Sequence, residues 1–311
     1  MMPVPEDYNF TRYLSAKKSV DDRALNHHVW QSLIKALPPT TPEAPLQVLE
    51  VGVGIGTMLE RMLEWRLLTY AAFTGIDAQA ENIAQAKQRL PHWADEQGFT
   101  VTETAQGGLL LEQEGYRVGV ELEAIDIFDF IARERVHRRW DLLVAHAFLD
   151  LMDISTTLPL LFSMLREGGL FYFTMNFDGV TILEPVVDPH LNEIIQTLYH
   201  QTMDERIVNG KISGDSRAGR HLFTYLKDAG AQVLDAGSSD WVVFPGPAGY
   251  PADEAYFLHF IIHTIHRALE KHPQLDANRF AAWVAERHAQ IERGELVCII
   301  HQLDFVGKIP V

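Results

Sequence analysis

The residues best placed for chemistry in this 311-residue chain are acidic groups that end short apolar runs. Val48 and Leu49 lead to Glu50. Glycines then fall at Gly52, Gly54 and Gly56, ahead of an apolar helical face at Met58, Leu59, Met62 and Leu63. The pattern predicts a buried strand, a tight turn and a helix start. Glycine permits unusual backbone angles there and removes side chains that would block a ligand. The free N–H groups and the dipole of the helix N-terminus face the same space. A dinucleotide turn reads G-x-G-x-x-G, but here the last position is Thr57 and the third glycine comes one residue early. Glu50 would also repel a pyrophosphate, whereas it suits a ligand carrying an ammonium group. Asp77 ends a second strand-like run, AAFTGI at 71–76. One carboxylate can accept from both hydroxyls of a ribose; the other reading of Asp77 is a cap for the next helix. His146 ends the run DLLVAH at 141–146. A histidine titrates near neutral pH, which makes His146 a candidate base. A strand-end histidine bonded only to backbone is the alternative.

EVGVGIG at 50–56, followed by Asp77, resembles the first motif and ribose acid of the class I S-adenosylmethionine-dependent methyltransferases. The likeness covers residues 46–177 well and the last helix and strands more loosely. It implies S-adenosyl-L-methionine as cofactor, S-adenosyl-L-homocysteine as product, and direct in-line transfer of methyl to a small molecule. It places Glu50, Gly52, Gly54 and Gly56 in the cofactor turn, and Asp77 with its neighbour Ala78 at the ribose. Asp126 would accept from the adenine amino group, with Ile127 packing on the ring and Phe128 as the runner-up. His146 would lie beside the cofactor. Nothing matches the N/D-P-P-Y/F motif or the cysteine pair of enzymes that methylate bases. A nicotinamide-dependent oxidoreductase and a non-catalytic binding scaffold are the other two classes.

The N-terminal segment carries Tyr8, Tyr13, Lys17, Lys18 and Arg23. Small-molecule methyltransferases often close such a segment over the cofactor, with Arg23 the best cation for the cofactor carboxylate and Tyr13 the best holder of the acceptor. Arg217 and Arg220 near a helix start oppose the helix dipole. Their forks suit a carboxylate on the acceptor; internal ion pairs are the alternative. Asn176 and Trp241 are further acceptor candidates. His263 shares a helical face with His259 and His266. No H-E-x-x-H motif and no completing carboxylate accompany them, so no metal is expected and a pocket wall is the better use of His263.

These groups need elements to carry them. A helix is expected over 21–37 and a proline-rich linker over 38–45. Alternating strands and helices then run to a fifth strand at 168–177, a sixth near 231–234 and a last at 296–305. An added hairpin should turn near Gly107 and Gly108. The fold class is α/β: a seven-stranded, doubly wound Rossmann-like methyltransferase sheet with helical cap insertions. The resemblance supplies the strand order three-two-one-four-five-seven-six, the last strand antiparallel. Residues 1–45 would form a helical cap and linker, and 46–311 the catalytic domain, with insertions at about 178–217 and 245–295. A formal charge of −16 argues against nucleic acid and anionic membrane. No secretory leader or spanning run is visible, and the single Cys298 excludes an internal disulfide. A cytoplasmic monomer or homodimer is therefore expected.

Overall fold

The computed structural model describes residues 3–208 and 210–310. Helices α1 (Phe10–Ala24) and α2 (His27–Ala36) precede β1 (Leu46–Val51), α3 (Thr57–Glu64), β2 (Tyr70–Asp77) and α4 (Ala80–Glu96). Next come β3 (Thr100–Glu103), β4 (Leu109–Gln113), β5 (Tyr116–Ala124), α5 (Ile127–Glu134) and β6 (Trp140–His146). A short 3-10 turn, Leu149–Leu151, leads into α6 (Ile154–Phe162) and the long β7 (Leu165–Glu184). They are followed by α7 (Pro189–Asp204), the ribbon β8 (Ile207–Val208) with β9 (Lys211–Ile212), α8 (Ala218–Asp228), β10 (Gln232–Ser238) and β11 (Trp241–Val243). Finally α9 (Glu254–Leu269) and α10 (Ala277–Glu292) lead to β12 (Val297–Lys308).

The main sheet runs β10-β12-β7-β6-β1-β2-β5-β4-β3, with β11 on β12. Strands β5, β2, β1, β6 and β7 are parallel, and β12 lies antiparallel between β7 and β10. With β3 and β4 set aside as an added antiparallel hairpin, the order from β5 to β10 is three-two-one-four-five-seven-six. The added hairpin turns where expected: Gly107 has a φ of +80°, and Thr104 N–H donates to the Gly108 carbonyl at 2.9 Å.

Alternation along the central strands divides the core. Val48, Leu142 and Val144 face a cluster that includes α1, α2, α3, α4, α9 and α10, while Leu49, Val51, Leu143 and Ala145 face α5, α6 and α8. Both faces are covered, which explains the unbroken apolar runs of β1 and β6.

Three boundaries differ from expectation. The helix expected over 21–37 is two helices. Leu25 is extended, and the Asn26 side chain accepts from the N–H groups of His28 and Val29. A capping asparagine offers those amides a partner outside the first helix, so the chain restarts there. The fifth strand continues past 177 to Glu184 because β12 pairs with it again from Thr181 to Glu184, after an irregularity in the register. Helix α7, capped by Asp188, occupies a stretch where the sequence suggested only an insertion. Among the described residues, no helix is long and apolar enough to cross a membrane.

Leu143 sits at the centre of β6, fully buried, whereas Val136 is 74% exposed. Leu143→Ala should cost about 2–5 kcal/mol of unfolding free energy. Val136→Ala should stay within about 0.5 kcal/mol of the parent. Urea unfolding followed by circular dichroism measures both.

Candidate cofactor and acceptor site

The carboxyl ends of β1, β2, β6 and β7 open onto one cavity of about 1190 Å³, roofed by α1 through Phe10, Tyr13, Leu14, Lys17 and Asp21. A crevice at this edge is what an open parallel sheet provides.

One half is built on the glycine turn. Gly52 has a φ of +69°, and a Cβ there would stand 2.5 Å from the Phe148 ring, so only glycine fits. Gly54 N–H donates to Asp77 Oδ2 at 2.9 Å, and Asp77 Oδ1 accepts from Gln79 N–H at 2.8 Å and Asn82 Nδ2 at 3.3 Å. The Asp77 carboxylate is thereby locked across the turn, with lone pairs left for a ligand. Glu50 is 1% exposed, and its Oε2 has no partner. Burial drives its carboxyl well above the usual range; Arg61 opposes the shift and the Asp77 charge adds to it. Asp126 accepts from Phe128 N–H at 2.8 Å and caps α5, yet also lines the cavity with Ala78, Ile127 and Phe128. Gly56 is different. It lies off the lining and packs against Leu90, where a Cβ would meet the side chain at 3.1 Å.

A buried polar cluster joins roof and sheet. Asp21 Oδ2 accepts from Lys17 Nζ at 2.5 Å and from His146 Nε2 at 2.9 Å, and Oδ1 accepts from Trp241 Nε1 at 2.8 Å. Burial works against the Asp21 charge, but Lys17 and His146 hold its carboxyl below the usual range. Burial, with Lys17 nearby, lowers His146 to about 4, so the ring is neutral at pH 7. Nε2–H then donates to Asp21, and Nδ1 accepts from the Thr174 hydroxyl at 2.8 Å. Both ring nitrogens are used. His146 therefore has no free lone pair for a ligand proton, which corrects its expected role as base. It remains part of the cavity wall.

Next to this cluster, Ala147 (φ +50°), just past β6, and Met175 (φ +56°), in the middle of β7, hold left-handed backbone, and both line the cavity. Such conformations cost about 1–3 kcal/mol each and concentrate at functional sites. Two hydrogen bonds hold them: Ala147 N–H to the Thr174 carbonyl at 2.8 Å, and Met175 N–H to Asp304 Oδ1 at 2.9 Å.

The other half of the cavity is largely apolar. Tyr13, Phe177, Tyr199, Met203, Ile261 and Ile265 form its walls, with Asp150, Arg206 and Gln302 among its polar groups. Tyr13 stacks on Phe257 and Phe260, and it and Trp241 both line the cavity.

Four other candidates do not line this cavity, and neither does Arg23. Arg23 forks onto Glu254 at 2.5 and 2.8 Å; the positive end of α9 favours an acid there, and that acid takes the arginine. Asn176 lies between Met175 and Phe177, which face the cavity. It donates instead to the Leu303 carbonyl at 2.9 Å, as side-chain alternation along a strand requires. Arg220 forks onto Asp178 at 2.8 and 3.0 Å. Asp178 also accepts the Arg220 N–H at 2.9 Å, so an anion at the start of α8 answers the unfavourable cation. Arg217 caps α8 from an exposed position. His263 stacks on Tyr8 with centroids 3.8 Å apart; α9 turns Ile261 and Ile265 inward instead.

Lys17, Asp21, Asp150, Arg206 and Gln302 were not assigned from sequence. Lys17 and Asp21 had a usable signal, their i,i+4 spacing. Asp150 lies just past the fourth strand, where crevice residues belong. Arg206 and Gln302 carry no local signal, since they come from an insertion and from the last strand.

No protein-family model matches the chain, and no curated protein matches it. Among solved structures, one similar chain is a candidate methyltransferase from Bacillus halodurans, with 10% identity and a TM-score of 0.49 over 92% of this chain and 100% of that one. Another is phosphoethanolamine N-methyltransferase 2 of Haemonchus contortus, solved with phosphomonomethylethanolamine and S-adenosylhomocysteine: 12% identity, TM-score 0.43, 99% of this chain and 61% of that one. A third is a 4+2 cyclase at 16% identity and a TM-score of 0.40, over 86% of this chain and 76% of that one. Likenesses this distant leave the reading to the chain's own residues.

Because His146 must stay neutral in the fold, the unfolded chain takes up its proton first as pH falls from 6.5 toward about 4. Stability contributed by neutral His146 is full above 6.5 and declines across that window. His146→Asn should lose less stability than the parent between pH 7 and pH 4 in urea unfolding. Parallel curves would refute the assignment.

Proposed function

We propose that this protein is an S-adenosyl-L-methionine-dependent methyltransferase acting on a small molecule. The observation that carries the reading is the pair of carboxyl groups, Glu50 and Asp77, at adjacent strand ends on one cavity. The fit rests on three features. Gly52 and Gly54 leave the main chain bare. Asp77 is locked yet retains acceptor capacity for a diol. The orphaned Glu50 Oε2 calls for a donor, which an ammonium supplies and a pyrophosphate does not. Asp126, Ile127 and Phe128 complete a polar edge and an apolar face for a base.

When bound, the cofactor supplies a methyl group already activated on a sulfonium. The chain's own task is then alignment and exclusion of water. Helix α1 covers the cavity, and the Asp21 cluster fixes that cover to β6 and β11. Lys17 takes the place proposed for Arg23, as the cation of α1 that lines the cavity. The apolar half receives the acceptor. The same reading extends to a cytoplasmic monomer or homodimer; the single thiol, Cys298, buried and unbridged, suits a reducing compartment.

Titration calorimetry with S-adenosylmethionine, S-adenosylhomocysteine and NAD tests this. The two adenosyl amino acids should bind and NAD should not; the reverse sinks the reading. Asp77→Ala should weaken binding by about 1.5–3 kcal/mol. An ammonium partner favours ionised Glu50, whose carboxyl is raised when empty, so binding should release a proton and tighten as pH rises. Glu50→Gln should weaken binding and remove that pH dependence.

A further inference from the structure

The acceptor half of the cavity makes a specific chemical demand. Asp150 lies in the 3-10 turn just past β6 and lines the cavity, and its Oδ1 is buried with no hydrogen-bond partner. Gln302 Oε1, on β12, is a second buried acceptor without a partner on the same cavity. The nearby cations do not answer them. Lys17 is engaged by Asp21, and Arg206 donates to the carbonyls of Leu151 and Ser213. An ionised carboxylate only accepts hydrogen bonds, and a buried acceptor left unpaired is destabilising. The donor must therefore come from whatever fills the cavity, water when it is empty and the ligand once the ligand has displaced that water.

We infer that Asp150 is the acceptor-binding carboxylate of this site, and that the acceptor is a largely apolar molecule presenting one hydroxyl or amine donor to it. This rests on the proposed methyltransferase reading only for the word acceptor; the demand for a donor stands on the cavity alone. The aromatic and thioether walls, Tyr13, Phe177, Tyr199 and Met203, set the apolar body. Burial raises the Asp150 carboxyl to about 6, against its own backbone N–H, Arg206 and Lys17 and with Asp215 adding to the rise. The Asp150 charge adds to the rise of the buried Tyr13 and Tyr199 hydroxyls, and neither hydroxyl hydrogen-bonds to Asp150 Oδ1. Asp150 is therefore mostly ionised at pH 7.5 and ready to receive a donor.

The test uses the full chain saturated with S-adenosylhomocysteine and three probes that share one ring system. These are 2-naphthol (hydroxyl), 1-naphthylmethylamine (amine) and 2-methoxynaphthalene (no donor). Calorimetry at pH 7.5 should show the hydroxyl or the amine binding about ten- to hundredfold more tightly than the methoxy compound. Asp150→Ala should erase that difference while leaving S-adenosylhomocysteine affinity intact, which also reports correct folding. Asp150→Asn separates the two donors. An amide still accepts from a hydroxyl, so naphthol binding should survive in part, whereas the cationic amine should fall to the level of the methoxy control. The inference is overturned if the methoxy compound binds as tightly as the others, if Asp150→Ala changes nothing, or if none of the three binds. Failure of S-adenosylhomocysteine to bind would instead strike the cofactor reading; an Asp150-dependent preference for donors in its absence would keep the assignment of Asp150.

Discussion

One buried carboxylate, Asp21, holds the site together. It receives hydrogen bonds from Lys17 on its own helix, from His146 at the end of β6 and from Trp241 on β11. Three separate parts of the chain converge on a group 2% exposed. A buried charge is tolerated only when its neighbours compensate it, so the geometry of all three is mutually constrained. Without that cluster, α1 would be an amphipathic helix laid on a sheet edge. With it, α1 is a roof at a set height above the glycine turn. The outer ion pairs of α1, Arg12 with Asp253 and Arg23 with Glu254, align the same helix along α9.

The cavity beneath that roof has an uneven polarity. Unpartnered acceptors face it at Glu50, Asp150 and Gln302, while its cations are engaged within the protein. The fold therefore asks its ligands for donors at these three positions. The left-handed Ala147 and Met175 stand at the boundary between the two halves. A sheet does not adopt such angles without a reason, and here the hydrogen bonds to Thr174 and Asp304 hold them.

Much of the half of the cavity built on the glycine turn was legible in the sequence. Glu50, Gly52, Gly54, Asp77, Ala78, Asp126 and Ile127 all belong to strand–turn–helix units whose signals lie within a few residues of one another. The rest of the site was not. Arg23 and Glu254 lie 231 residues apart, and Asp21 and Trp241 lie 220 apart; nothing local marks either pair. Arg220 looked like a ligand-gripping cation because its partner, Asp178, comes from β7, 42 residues away in the chain. His263 shared a face with two histidines, but the face of α9 that meets the cavity is the apolar one, at Ile261 and Ile265.

Patterns of period two and three to four, glycine positions and caps are properties of neighbouring residues, so the order of strands and helices and the glycine turn could be read directly from the chain. Whether an arginine is free, whether a histidine has a lone pair to offer and which face of β7 looks into the cavity depend on atoms brought close by packing. Burial and long-range pairing change the charge and availability of a side chain without changing its identity. That is why His146, conspicuous in the chain, is saturated in the fold, and Asp150, inconspicuous in the chain, is left asking for a partner.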